Sequence, residues 1–117
     1  MTLTVAIAGC GYFSRFHQDA WSRMEGVRVV GVADRDAGKR EAAAGLLHGA
    51  AAFEDAEAML DATRPDLIDI VTPPATHRAL VAAAALRGGK MICQKPLAPT
   101  FDDAQEIVAI AEDAGVM

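Results

Sequence analysis

Apolar residues gather in five short runs along the chain, and each run is followed by a stretch in which apolar positions recur at threes and fours. Thr4 to Ala8 is too continuously apolar for a half-exposed strand and reads as a buried strand of a parallel sheet. Phe13, Phe16, Ala20, Trp21 and Met24 then predict an apolar face on a helix from Tyr12 to Met24, closed by Gly26. Val27 to Asp34 is the second strand. Asp36 caps a helix reaching about Leu47, with Gly49 beyond it. Ala50 to Phe53 is a short third strand, and Glu54 or Asp55 opens a short helix through Leu60. Leu67 to Val71 is the fourth strand, stopped by Thr72-Pro73-Pro74 because two successive prolines remove two ladder donors. Thr76 caps a helix from His77 to Arg87 that ends at Gly88-Gly89. Lys90 to Gln94 is the fifth strand, Pro96 and Pro99 form its exit, and Thr100 caps a last helix with Ala104, Ile107, Val108 and Ala111 on one face. Regular alternation of strand and helix implies right-handed parallel crossovers. The expected fold is α/β, a doubly wound sheet with helices on both faces in a single domain, residues 1–117.

Composition narrows the ligand. The 117 residues are 52% hydrophobic but only 5% aromatic, a balance suited to small helices packed closely on a sheet. A net charge of -5 with no run of lysines and arginines excludes binding to a nucleic-acid backbone through a basic surface. An anionic ligand has to be held by backbone N–H groups. No apolar stretch approaches the ~18 to 20 residues that cross a bilayer, and no basic segment precedes an apolar one at the N-terminus, so a soluble cytoplasmic protein is expected. Cys10 and Cys93 stand in no metal-ligand spacing and read as buried free thiols of a reducing compartment. No metal is expected. His17 and His48 read as structural or surface residues.

The chemistry begins at the first turn. Gly9-Cys10-Gly11-Tyr12-Phe13-Ser14 follows a strand and opens a helix, the layout that presents backbone N–H groups to a pyrophosphate. Gly9 permits the tight turn, Gly11 lets a phosphate approach the main chain, and Ser14 takes the place of a third glycine and is small enough for close helix–strand packing. Tyr12 and Phe13 matter there through position more than through side chain. Asp34 ends the second strand 25 residues after Gly9, near the ~20 expected of the carboxylate that binds the adenosine ribose hydroxyls. Arg35 beside it either stacks on adenine, meets a 2′-phosphate or is a solvated surface charge. The cofactor is NAD or NADP, with NAD favoured.

Two further features fall at strand ends, where a doubly wound sheet binds its ligands. Asp69-Ile70-Val71-Thr72-Pro73-Pro74-Ala75-Thr76-His77 and Gly89-Lys90-Met91-Ile92-Cys93-Gln94-Lys95-Pro96-Leu97-Ala98, with the glycine turn and Asp34, resemble the N-terminal domain of the Gfo/Idh/MocA family. These are the NAD(P)-dependent sugar dehydrogenases related to glucose-fructose oxidoreductase and inositol dehydrogenase. The resemblance covers essentially the whole chain. It implies that Lys95 is catalytic, orienting the substrate hydroxyl and aiding proton transfer, with partial desolvation favouring its neutral amine. It also implies that Thr72, Pro73 and Pro74 line the nicotinamide end of the cofactor. Where the family usually has glutamate before the lysine, this chain has Gln94, whose amide is expected to reach the nicotinamide ribose. His77 either touches cofactor or substrate, or packs and caps locally.

Family members continue into a larger α/β substrate domain carrying further catalytic groups and most of an oligomer interface. The resemblance therefore implies a piece of a longer protein, a homo-oligomer when whole, that transfers hydride between NAD(P) and a sugar or polyol hydroxyl. The 117 residues alone are expected to bind cofactor and turn nothing over. Two alternatives are a non-catalytic dinucleotide sensor or interaction module, and a scaffold that has lost cofactor binding.

Overall fold

A computed structural model describes residues 2–117, and its five strands all run parallel. The elements follow one another as β1 (Leu3–Ala8), α1 (Ser14–Ser22), β2 (Val27–Ala33), α2 (Ala37–Leu46), β3 (Ala51–Phe53), α3 (Ala56–Thr63), β4 (Leu67–Ile70), a single 3-10 turn (Pro74–Thr76), α4 (His77–Leu86), β5 (Lys90–Cys93) and α5 (Phe101–Ala114). The spatial order is β3-β2-β1-β4-β5. Strand order reverses between β1 and β4, so their carboxyl ends diverge and leave a crevice. The expected doubly wound Rossmann sheet is the observed one.

The strand alternation divides the core. Ala6, Ala8, Ile68 and Ile70 point to the face covered by α3 and α4, where Met59, Leu60, Val81, Ala84 and Ile107 join them. Val5, Ile7, Val29, Val32 and Val71 point to the other face with Ala43, Leu47 and Trp21. Full burial of side chains such as Ile7, Met59 and Ile70 contributes about 1.5–3 kcal/mol each. Close approach is needed where α3 crosses β2, because a Cβ on Gly31 would sit 3.0 Å from the Met59 side chain.

Helix ends are set mostly as the pattern predicts. Asp36, Asp55 and Thr100 each accept from the N–H three residues on and cap α2, α3 and α5. Gly88 and Gly89 close α4 by donating to Ala85 and Ala84. Thr76 differs from expectation: it lies in the 3-10 turn, and its hydroxyl turns back to Pro73 O and Thr72 Oγ1 instead of capping α4. Gly26 also differs. α1 ends at Ser22, four residues earlier, and Gly26 with φ 74° serves the turn into β2, its carbonyl accepting from Leu3.

The largest departure is the rotation of α1. Phe13, Phe16 and Met24, taken from periodicity as the core face, are 51%, 57% and 48% exposed, while Ser14 and Gln18 are buried and His17 and Trp21 are partly so. A helix normally turns its apolar stripe inward, but here the sheet beneath carries Asp69, fully buried on β4. A buried carboxyl needs donors, and the polar face of α1 supplies them. A smaller shift of the same kind occurs in α5, where Ile110 packs inward and Val108 is exposed.

Candidate functional site

Everything the sequence singled out lies at the carboxyl edge of the sheet. The turn after β1 depends on Gly9, which has φ 97° and whose Cβ would lie 2.2 Å from the carbonyl oxygen of Val71. No other residue fits there. Gly11 is different: its backbone is ordinary and a Cβ would meet nothing within 4 Å, so its missing side chain leaves open space above the chain. Past it, the N–H groups of Gly11, Tyr12 and Phe13 have no acceptor among the described residues, and α1 starts without a side-chain cap. Such unpaired donors at a helix N-terminus suit an anion. Tyr12 and Phe13 point their rings into solvent, edge-on to Phe16 and tilted against it respectively. Ser14 is buried and accepts from Gln18 Nε2, so its side chain does the packing expected of it and is closed to a ligand.

Asp34 braces this turn. One carboxylate oxygen accepts from Cys10 N–H at 2.8 Å and the other from Asp36 N–H at 2.9 Å, joining the loops after β1 and β2. Arg40 adds a second tie, its guanidinium donating to the carbonyls of Asp34 and Arg35. A groove of about 590 Å³ opens beside them, lined by Gly9, Asp34, Arg35, Thr72, Pro73 and Leu80 among others. Thus three separately chosen parts of the sequence, the glycine turn, Asp34-Arg35 and Thr72-Pro73, share one concavity. Pro74 does not join them; it starts the 3-10 turn and faces a neighbouring depression between α4 and α5.

The Gln94–Lys95 segment lies outside that groove. Lys95 is exposed. Gln94 is half-buried and turned inward: its Oε1 accepts from Lys95 N–H at 2.8 Å, and its Nε2 stands 3.4 Å from His17 Nε2. The expectation that its amide extends to a ribose is corrected to that extent. His17 Nδ1 is 2.8 Å from Asp69 Oδ2, which also accepts from Trp21 Nε1 at 2.8 Å. Among the described residues Asp69 Oδ1 has no partner.

His77 needs a correction as a cofactor contact. Its ring is fully buried, with Nδ1 2.9 Å from Leu97 O and Nε2 2.8 Å from Thr72 O. The ring ties the loop after β4 to the loop after β5 and leaves no face to a ligand. Periodicity places Trp21 on the apolar face of α1 without a hydrogen-bonding role, and marks neither Asp69 nor Arg40 as part of the site. A signal existed for Asp69, a charge inside the apolar run Leu67 to Val71, and for His17 and Trp21, which stand four apart on one helix face.

The two thiols are quiet. Burial, with the Asp34 carboxylate adding to it, pushes the Cys10 thiol up to about 12. Burial and then Asp69 push Cys93 up to about 11. Both stay protonated and poorly nucleophilic near neutral pH. Among the described residues no His, Cys, Asp or Glu grouping is placed to hold a metal, and no helix is long and apolar enough to cross a membrane.

Residues 3–117 match the family described as "Oxidoreductase family, NAD-binding Rossmann fold". The chain is 43% identical over 111 residues to a D-apiose dehydrogenase of Paraburkholderia graminis, covering 95% of this chain and 30% of that protein. It is 33% identical over 115 residues to an inositol 2-dehydrogenase of Arthrobacter sp., covering 97% and 34%. Among solved structures, an oxidoreductase from Agrobacterium radiobacter in complex with NAD+, L-tartaric acid and magnesium superposes with a TM-score of 0.93 at 32% identity, over 99% of this chain and 34% of the other. The WlbA dehydrogenase from Bordetella pertussis in complex with NADH and UDP-GlcNAcA gives 0.93 at 25% identity, over 99% and 36%. The chain spans about a third of the length of the curated relatives it matches.

Proposed function

This chain belongs to the Gfo/Idh/MocA oxidoreductase family with its NAD-binding Rossmann fold, and from that premise we propose that residues 1–117 are the dinucleotide-holding unit of a sugar or polyol dehydrogenase. The single observation that carries the reading is the groove at the strand-order reversal. Gly9, Asp34 and Thr72-Pro73 all line it, and the unpaired N–H groups of Gly11, Tyr12 and Phe13 follow Gly9 by two to four residues. These donors and the open space over Gly11 fit a pyrophosphate, and the Asp34 carboxylate, already fixed by two N–H groups, keeps lone pairs for ribose hydroxyls. A carboxylate at that position repels a 2′-phosphate, which favours NAD. Arg35, exposed and lining the groove, is the cation available to adenine or phosphate.

When bound, the nicotinamide supplies the acceptor or donor of a hydride. This chain's residues do the holding. Gly11, Tyr12, Phe13 and Ser14 offer main-chain atoms, Thr72 a hydroxyl and Pro73 a rigid wall. Lys95 is assigned the catalytic role of orienting a substrate hydroxyl and managing its proton. Gln94 shapes the strand end that presents it. The substrate pocket and oligomer interface belong to the rest of a longer protein, proposed as a cytoplasmic homo-oligomer. The names of the relatives support a branched sugar or a cyclitol as substrate.

Titrating NADH and NADPH into the chain while following energy transfer from Trp21 tests the cofactor reading. NADH is expected to bind about tenfold more tightly than NADPH, equivalent to ~1.4 kcal/mol. Failure to bind either dinucleotide overturns the reading. No steady turnover is expected of the 117 residues alone, because a dehydrogenase needs its substrate held against the nicotinamide face.

A further inference from the structure

Beneath the exposed Lys95 runs a hydrogen-bonded line of side chains that enters the sheet. It joins Lys95 N–H to Gln94 Oε1 at 2.8 Å, Gln94 Nε2 to His17 Nε2 at 3.4 Å, and His17 Nδ1 to Asp69 Oδ2 at 2.8 Å. Its direction follows from its upper end. A backbone N–H only donates, so the Gln94 atom facing Lys95 N must be the oxygen and the one facing His17 must be the NH2 group. An NH2 group only donates, so His17 Nε2 must be the bare, accepting nitrogen. The proton of a neutral ring therefore sits on Nδ1, aimed at Asp69, an acceptor. Every link agrees.

The lower end is rigid. Asp69 is fully buried on β4, its Oδ2 takes both the His17 and the Trp21 N–H, and its Oδ1 has no donor among the described residues. Removing one of only two donors from a carboxyl so enclosed is costly, so the His17 ring is held in one orientation and one tautomer. Gln94 is held in turn.

We propose that His17 is a positioning residue for the catalytic end of the site: braced by Asp69, it orients the Gln94 amide and thereby fixes the main chain at Lys95. This rests on the assignment of Lys95 above. It also explains why glutamine is compatible here. Glutamine next to a neutral histidine is one self-consistent set of donors and acceptors, and a glutamate next to a doubly protonated histidine is the other, because a carboxylate accepts at both ends. The two sets carry the same net charge but differ in the proton that His17 holds.

Nitrogen-15 NMR of the imidazole in the cofactor-free 117-residue chain reads this directly. At pH 7.5 the ring of the unmodified chain is expected in the Nδ1–H form with Nε2 bare. In Gln94→Glu both nitrogens become protonated at the same pH. In His17→Leu the Lys95 amide exchanges with solvent at least fivefold faster, and His17→Gln, which offers one donor and one acceptor, restores most of the protection. A ring in the Nε2–H form, a singly protonated ring in Gln94→Glu, or unchanged Lys95 exchange in a folded His17→Leu chain each overturns the proposal. Should His17→Leu not fold, the unmodified and Gln94→Glu spectra decide. Because these readings need no dinucleotide, loss of NADH binding in the unmodified chain overturns the cofactor assignment and leaves the ring data to judge the relay.

Discussion

Two ends of one strand edge are built by different means. Where β1 and β2 finish, the candidate site is backbone: a glycine forced by φ 97°, free N–H groups and one carboxylate that staples two loops. Where β4 and β5 finish, it is side chain: Asp69, His17, Gln94 and His77 in hydrogen bonds that cross from strand to helix to loop. A backbone cradle tolerates little in its few special positions and much elsewhere. A side-chain network shares its burden among several residues, and its outermost member, Lys95, is tied to it only through the main chain.

Gly9→Ala tests the first end hardest. Left-handed backbone and a Cβ pressed against Val71 O are expected to destabilise the fold by ~3 kcal/mol or more, measured by denaturant unfolding. A loss below ~1 kcal/mol means the turn can open, and the contrast fails there. Asp34→Ala comes next. It strands Cys10 N–H and removes the ribose acceptor, so NADH affinity is expected to fall by roughly 1.5–3 kcal/mol, about tenfold to over a hundredfold. Calorimetric titration checks it.

At the second end, Asp69→Asn is expected to cost about 1–2 kcal/mol and to shift the Trp21 indole N–H resonance, since an amide oxygen in place of Oδ2 accepts without the carboxylate charge and the NH2 in place of Oδ1 is buried with no acceptor. An unmoved indole signal speaks against the network. The buried thiol beside Asp34 gives a pH test. Its folded value of about 12 lies above the ordinary 9.0, so the unfolded chain loses this proton first as pH rises. Stability is therefore unaffected by Cys10 below about pH 9 and declines from there toward pH 12; Cys10→Ala should flatten that part of the stability profile. The smallest effect is expected from Lys95→Ala. Being exposed and bonded only through its main chain, it should change stability by no more than ~0.5 kcal/mol and NADH affinity by about twofold at most. A large drop in either brings Lys95 into the scaffold and erases the distinction between the two ends.

How far the sequence could be read follows the same division. The three Asp or Thr caps and the alternation of strand and helix were legible because each is set by neighbours within a few residues, and the glycine turn and Asp34 because their residue types and spacing mark them, although Val71 O and Cys10 N–H, which hold them, lie far along the chain. α1 was misread for the opposite reason. Periodicity assigns Phe13, Phe16 and Met24 to the core on the premise that a sheet is apolar, and β4 breaks that premise with one residue 52 positions from His17. His77, open from the sequence between a ligand contact and local packing, and Thr76, expected as the cap of α4, both have their side chains claimed by carbonyls, those of Leu97 and Thr72 for the one and of Pro73 for the other.

By itself the order of residues determined the doubly wound sheet and the place of the glycine turn after β1, since hydrophobic period, capping residues and glycine stereochemistry act locally. Only the tertiary structure decided which face of α1 goes inward, which way the Gln94 amide points and that the His77 ring is out of a ligand's reach. Those outcomes depend on pairing every buried donor with an acceptor, and the partners meet only when the strands assemble.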